Sequence, residues 1–312
     1  MPATETKIHG GMIPAGGNFQ PLRPEEPELW HEESYLRMTV RKFKKHKMAV
    51  AGLVVMSLLA LVAIFAPLIA PHDPYNVTDS FSAPPSAEHW LGTDQVGRDV
   101  LSRLIYASRV SLSVGIGSVL ISATIGTLLG LLSGYYGGRS DMLIMRIADV
   151  FMSFPPLMLV LVVVSLVGPS LVNLILIIGL LAWTSVARLV RGSVLSLKQV
   201  DYIRACISLG LGTPRILFSH ILPNVMAPIL VHATFFIASA IIIEAALSFL
   251  GVGVQNPTAS WGNMLTSAQS LTVLSSQPWL WVPPGLLILI SVLSVNFIGD
   301  GLRDALDPKN IK

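Results

Sequence analysis

Glu244 interrupts a long apolar run. A carboxylate inside a membrane is costly unless it faces protein or water. Two chemistries would justify it: a hydrogen bond that ties helices together near the outer surface, or a gate on a permeation pathway. Proton-coupled transport would need several such carboxylates, and Glu244 is nearly alone. Asp149 is the second candidate for a pathway or gate. It follows Arg146 by three positions, a spacing that pairs the two charges on one helix face. An intramembrane protease would need a second aspartate, a Ser/His pair or HExxH within the apolar runs, and none occurs. No GxxxxGK[ST] phosphate loop is present, so the chain does not bind ATP in that manner, and no cofactor is expected on it. Asp94, Arg98 and Asp99 lie in the polar stretch "TDQVGRD", where they either cap a helix or meet a soluble partner and its cargo. His72 and His89 share that segment. No ligands are spaced to converge with them, so no metal site is expected. The single cysteine, Cys206, excludes a disulfide framework and any Cys-based metal site, and reads as a small packing residue.

These residues are scattered along a chain whose composition sets its class. Of 312 residues, 52% are hydrophobic and 12% are charged. Mean hydropathy is +0.66. A soluble domain carries about 25% charged residues and could not hide this much apolar surface, so lipid must cover part of it. The same numbers exclude disorder. Stretches 110–138, 150–187 and 245–299 contain no Asp, Glu, Lys or Arg. The net charge of +3 is too small to suggest nucleic acid.

The expected fold class is therefore an all-α integral membrane protein, and the apolar runs predict six transmembrane helices. They fall at about Met48–Ala70, Val110–Tyr135, Asp141–Val167, Ser170–Ala187, Asn224–Leu250 and Pro283–Ile298. A span of a ~30 Å hydrocarbon core takes ~20 helical residues. The first run is too long, and begins too far into the chain, for a signal peptide. Gly115, Gly117, Gly126, Gly130 and Gly134 are spaced for close packing of the second span. Region 251–282 reads as an outside loop, partly re-entrant. With both termini in the cytoplasm, only Arg98, Arg103 and Arg109 of the 21 Lys and Arg residues fall outside, as the positive-inside rule asks. Arg188 and Arg191 then either anchor the fourth span or support the loop that follows it. No internal repeat is visible, which disfavours a transporter built from two similar halves.

One inside loop, about 188–223, is too long for a plain turn: "RLVRGSVLSLKQVDYIRACISLGLGTPRILFSHILP". It contains the amphipathic stretch "DYIRACISLG", which Asp201 would cap and Gly210 would end. Ala205, Cys206 and Leu209 are expected on one side of that short helix, a knob for a partner's groove. The stretch resembles the EAA loop of ABC importer permeases, in which Glu-Ala-Ala is followed by Gly four positions later and then by Leu-Pro. Ala205, Cys206, Gly210, Leu222 and Pro223 take those positions; Arg204 stands in place of the acid, Cys206 in place of an alanine, and His220 in place of isoleucine.

Four further segments are similar to the second permease subunit of the dipeptide/oligopeptide (peptide/nickel) importers: "HWLGTDQVGRDVLSRLIYASRVSLSVG", "MRIADVFMSFPPLML", "EAALSFLGVGVQNPTASWGNML" and "NFIGDGLRDALDPK". The resemblance runs from about Phe43 to the C-terminus. It implies the type I ABC importer permease architecture in a bacterial or archaeal inner membrane. It divides the chain into a cytoplasmic segment 1–47, a first helix plus extracytoplasmic segment 48–108, and a permease core 109–312. The implied partners are a homologous permease, two cytoplasmic ATPases holding ATP and Mg²⁺, and an extracytoplasmic binding protein that Asp94, Arg98 and Asp99 would contact. The implied cargo is a di- or oligopeptide, with glutathione or nickel chelates as the alternative; a proton-coupled secondary transporter is the distant alternative to the importer itself.

Overall fold

The computed structural model describes residues 35–307, with side-chain environments from 37. The described chain is helical, and an isolated bridge between Thr93 and Asp99 is its sole β feature. Helix α1 (Tyr35–Lys45) precedes α2 (Lys47–Ile64). Then come α3 (Val100–Tyr136), α4 (Gly138–Met152), α5 (Pro156–Val167) and α6 (Leu171–Leu197). A short α7 (Asp201–Ser208) leads to α8 (Leu222–Phe249) and α9 (Val282–Leu306).

Among the described residues, five helices are long and apolar enough to cross a membrane, and the α4–α5 pair is a sixth span if the two count as one. The pair is bent by 88°. The expected span Asp141–Val167 coincides with this pair, and the structure adds the break inside it. Pro155 and Pro156 adjoin the break. Proline lacks an N–H to continue the helix, and its ring pushes the preceding residue out of the α region. The pair must nevertheless return the chain through the membrane, because α3 and α6 run parallel. Gly117 of α3 lies against Ile175 of α6, Gly126 against Val186, Gly130 against Val190 and Gly134 against Val194.

Those contacts show why the glycines are there. A Cβ on Gly126 would sit 2.5 Å from Val186 Cβ, and one on Gly130 would sit 2.6 Å from the Ala187 carbonyl oxygen. Lipid tails are as apolar as leucine, so helices in a membrane gain from close backbone approach instead. Gly115 serves a different neighbour, with Ile241 of α8 at 3.1 Å from its would-be Cβ.

Other boundaries also move. α3 starts at Val100, ten residues before the expected span, with Asp99 capping it through an Oδ2 that accepts the Ser102 N–H at 2.7 Å. At 1.5 Å per residue its 37 residues reach about 55 Å, so its first turns, with Arg103 and Arg109, project beyond a ~30 Å core. α6 and α9 likewise continue past their charged ends, to Leu197 and Leu306, and α2 stops at Ile64, one residue before a four-residue helix, Ala66–Ile69, with Pro67 in its first turn. The basic run becomes α1, whose Phe43 lies beside Gly301 of α9. The starts of α2 and the ends of α9 and α3 therefore share one end of the bundle. The segments 65–99 and 250–281 share the opposite end.

Candidate functional site

The segment between α6 and α8 is built as a mount for a short helix. Ile203 of α7 is fully buried and packs with Val190 and Val194 of α6, Leu131 of α3, and Ile216, Leu217 and Ile221 of the stretch before α8. At about 100° per residue, Cys206 lies near Ile203 and is half-buried in the same cluster. Ala205 and Leu209 fall on the far side, and Leu209 is 79% exposed. The expectation that Ala205, Cys206 and Leu209 share a face is corrected: the core claims Cys206, and Ala205 and Leu209 point away.

Asp201 is the first residue of α7, and its side chain makes no cap hydrogen bond. Val200, in extended conformation, holds the N-cap position, so the expected Asp201 cap is also corrected. Its carboxylate remains in the first turn, where the helix dipole favours negative charge. The C-terminal expectation holds: Gly210 adopts φ +74 just past the helix end. The Leu211 N–H donates to the Cys206 carbonyl at 3.1 Å and the Gly210 N–H to that of Ile207 at 3.0 Å, a Schellman closure. Arg204 is exposed and donates to Gln199 Oε1. Leu222 is half-buried in the cluster under α7, and Pro223 is exposed.

Two supports for this loop carry no signal in the sequence. Asn224 Nδ2 donates to the Tyr202 hydroxyl at 3.1 Å, tying α7 to α8. Lys198 Nζ donates to the Tyr135 carbonyl at 2.6 Å, tying the loop to the end of α3. Arg191 binds Asp141 of α4 through two nitrogens, Nη2 meeting Oδ2 at 2.6 Å. Asp149 has its expected partner Arg146 at 3.8 Å, but Arg188 of α6 is nearer, at 2.7 Å. Both arginines that end the apolar part of α6 thus hold α4, and Asp149 sits half-exposed beside them, away from the middle of the bundle.

At the opposite end, Glu244 of α8 is fully buried. Ser111 of α3 donates to its Oε2 at 3.0 Å and Ser248 to its Oε1 at 2.7 Å. Each serine oxygen in turn accepts a backbone N–H from the 250–281 segment: Ser111 from Trp261 at 3.2 Å, Ser248 from Val254 at 3.1 Å. Glu244 thus joins α3 to α8 through hydrogen bonds. That segment folds back onto the bundle, with Trp261 fully buried against α3 and α8.

Asp94 and Arg98 pair at 2.8 Å, and Arg103 approaches Asp94 at 3.5 Å. With Asn256, Asn263 and Gln269 they line a polar cavity of ≈ 350 Å³. Asp99 is 2% exposed and unavailable to a docking surface. A second cavity, of ≈ 330 Å³, opens at the α4–α5 bend between Phe151, Phe154, Ile178, Leu181 and Phe236. The expectation that His72 and His89 lack converging partners is corrected. Together with Asp99 they bring one donor atom each within 4.8 Å of one another.

Apolar helices of this length, with a braced short helix at one end and a folded-back polar loop at the other, define a multi-pass membrane bundle. The chain belongs to the family described as binding-protein-dependent transport system inner membrane component, whose match covers residues 126–312. Residues 34–85 match the N-terminal transmembrane domain of oligopeptide transport permease C. The dipeptide transport system permease protein DppC of Alkalihalophilus pseudofirmus is 43% identical over 93% of this chain and 95% of its own. The oligopeptide transport system permease protein OppC of Bacillus subtilis is 39% identical over 94% of each. The glutathione transport system permease protein GsiD of Pectobacterium atrosepticum is 44% identical over 86% of this chain and 89% of its own. The chain is thus a transport subunit of an ABC importer in the bacterial inner membrane, with ATP hydrolysis on a separate subunit. Such permeases work with ATPase and binding-protein partners.

Proposed function

We propose that this chain, with a homologous second permease, encloses the translocation pathway for di- or oligopeptides delivered by an extracytoplasmic binding protein. Two cytoplasmic ATPases carrying ATP and Mg²⁺ drive it. The α7 end and both termini face the cytoplasm. The polar 250–281 end faces outward, where Asp94 and Arg98 meet the binding protein. The similarity to permeases named for dipeptides and oligopeptides over nearly the whole chain supports the cargo. The likeness to a glutathione permease supports glutathione, itself a modified tripeptide, as the second reading.

One observation carries the mechanism. α7 is pinned to the bundle by Ile203 while Leu209 and Ala205 stand free on its other side. A helix held so firmly on one side transmits a push applied to the other. ATP biases the inward-open and outward-open packings only through its different interaction with each. Gly210→Arg tests this. A Cβ there meets nothing within 4 Å, so the bundle tolerates it apart from about 1–2 kcal/mol of left-handed strain. The large side chain obstructs the partner's groove instead. The expected result is normal membrane insertion with loss of ATP-driven uptake of labelled dipeptide; uptake at the unmodified rate would refute the coupling role. Competition of that uptake by unlabelled peptides or by glutathione separates the two cargoes.

A further inference from the structure

We propose that His72, His89 and Asp99 bind a divalent transition-metal ion of zinc's class, which clasps the segment after α2 to the start of α3. Asp99 Oδ1 lies 2.9 Å from His89 Nδ1 and 3.8 Å from His72 Nδ1. The imidazole centroids are 4.9 Å apart. Tetrahedral zinc holds N and O donors at about 2.0–2.2 Å, which sets donors about 3.3 Å apart. These two separations bracket that value, and all three donors lie within 4.8 Å of one another, so the two imidazoles must draw together by up to about 1.5 Å to complete the arrangement.

The site is built. Asp99 and His89 are 2% and 7% exposed. His72 Nδ1 is buried with no hydrogen-bond partner, an orphan lone pair aimed at this cluster. Each residue's backbone is fixed: the His72 N–H donates to Ser102 Oγ at 3.0 Å, and that of His89 to Ser86 Oγ at 3.0 Å. The other oxygen of Asp99 is held by the Ser102 N–H. Competing cations are committed elsewhere, because Arg98 and Arg103 both turn to Asp94. Each imidazole binds through Nδ1 with its ring proton on Nε2, and water fills the fourth position. Two imidazoles and one carboxylate favour zinc, cobalt, nickel and copper over magnesium and calcium.

The test uses the full-length chain carrying a tag without histidine, reconstituted in lipid nanodiscs, stripped with chelator and titrated with zinc chloride. The expected result is one zinc per chain, a first shell of nitrogen and oxygen by X-ray absorption, and no displacement by excess magnesium. His72→Gln, a half-exposed position that leaves the Asp99 cap intact, should weaken zinc binding by at least about tenfold. Failure to retain zinc, or unchanged affinity in His72→Gln, overturns the proposal and leaves a hydrogen-bonded cluster. Asp99→Asn gives a second reading: if it inserts normally and still binds zinc as tightly, the proposal also falls.

Discussion

At the scale of single residues, Glu244 is the clearest case of a feature announced by sequence and explained only by structure. Its charge in an apolar run marks it as exceptional, and the serine four residues on is a natural partner on the same helix face. Its other partners, Ser111 at 133 positions' distance and Ser260, lie outside the helix, and no local pattern reveals them. Because its two oxygens accept hydroxyl protons, an amide at this position keeps one acceptor. Glu244→Gln should therefore preserve most of the thermal stability and uptake. Glu244→Leu strands the buried hydroxyls of Ser111, Ser248 and Ser260 and should destabilise by about 1–3 kcal/mol for each unsatisfied group. Thermal unfolding of the purified variants in detergent checks the order. A complete loss of uptake in a stably folded Glu244→Gln would favour the gate reading instead.

At the scale of elements, six apolar runs were readable, but their ends were not. Charged residues such as Arg103, Arg191 and Arg303 look like span boundaries, whereas helices continue through them because only their middle turns need to be apolar. The short α7 was legible from its capping glycine and amphipathic pattern. Its orientation was not, since Ile203 finds its pocket among α3, α6 and the residues before α8. Ile203→Ala should leave α7 helical yet loosely seated, at a cost of about 2–5 kcal/mol for the vacated pocket. Reduced coupling should follow, read as ATPase activity that no longer responds to the loaded binding protein. On the α3–α6 seam the reverse change is harmful. Gly130→Val places its branches where the Ala187 carbonyl and Val190 already lie, and should lower the melting temperature through an overpacking cost of at least about 1–3 kcal/mol.

At the scale of the whole molecule, the order of the helices fixes which loops share an end, and the basic residues suggest which end is inside. That assignment has a direct check. The only native thiol is Cys206, so a Cys206→Ser background is blank to thiol reagents. In that background, a membrane-impermeant reagent should label Gln269→Cys in intact cells, since Gln269 is exposed at the 250–281 end. Leu209→Cys should react only after the cells are opened. The opposite result would invert the topology and place α7 outside, beyond the reach of any cytoplasmic ATPase.

The parallel seam between α3 and α6 has a mechanical meaning. Two helices interlocked by valines seated over successive glycines cannot slide or rotate past one another without the backbones first separating. They act as a fixed spar running through the subunit. Cycling between two packings must then be absorbed by parts that the spar does not lock. The α4–α5 arm carries its own break at residues 153–155, and it meets the spar through the Asp141–Arg191 and Asp149–Arg188 ion pairs and through Ala148, Val160 and Val164 buried against α6. The subunit would work like a leaf seated along a post, with the proline pair for its elbow.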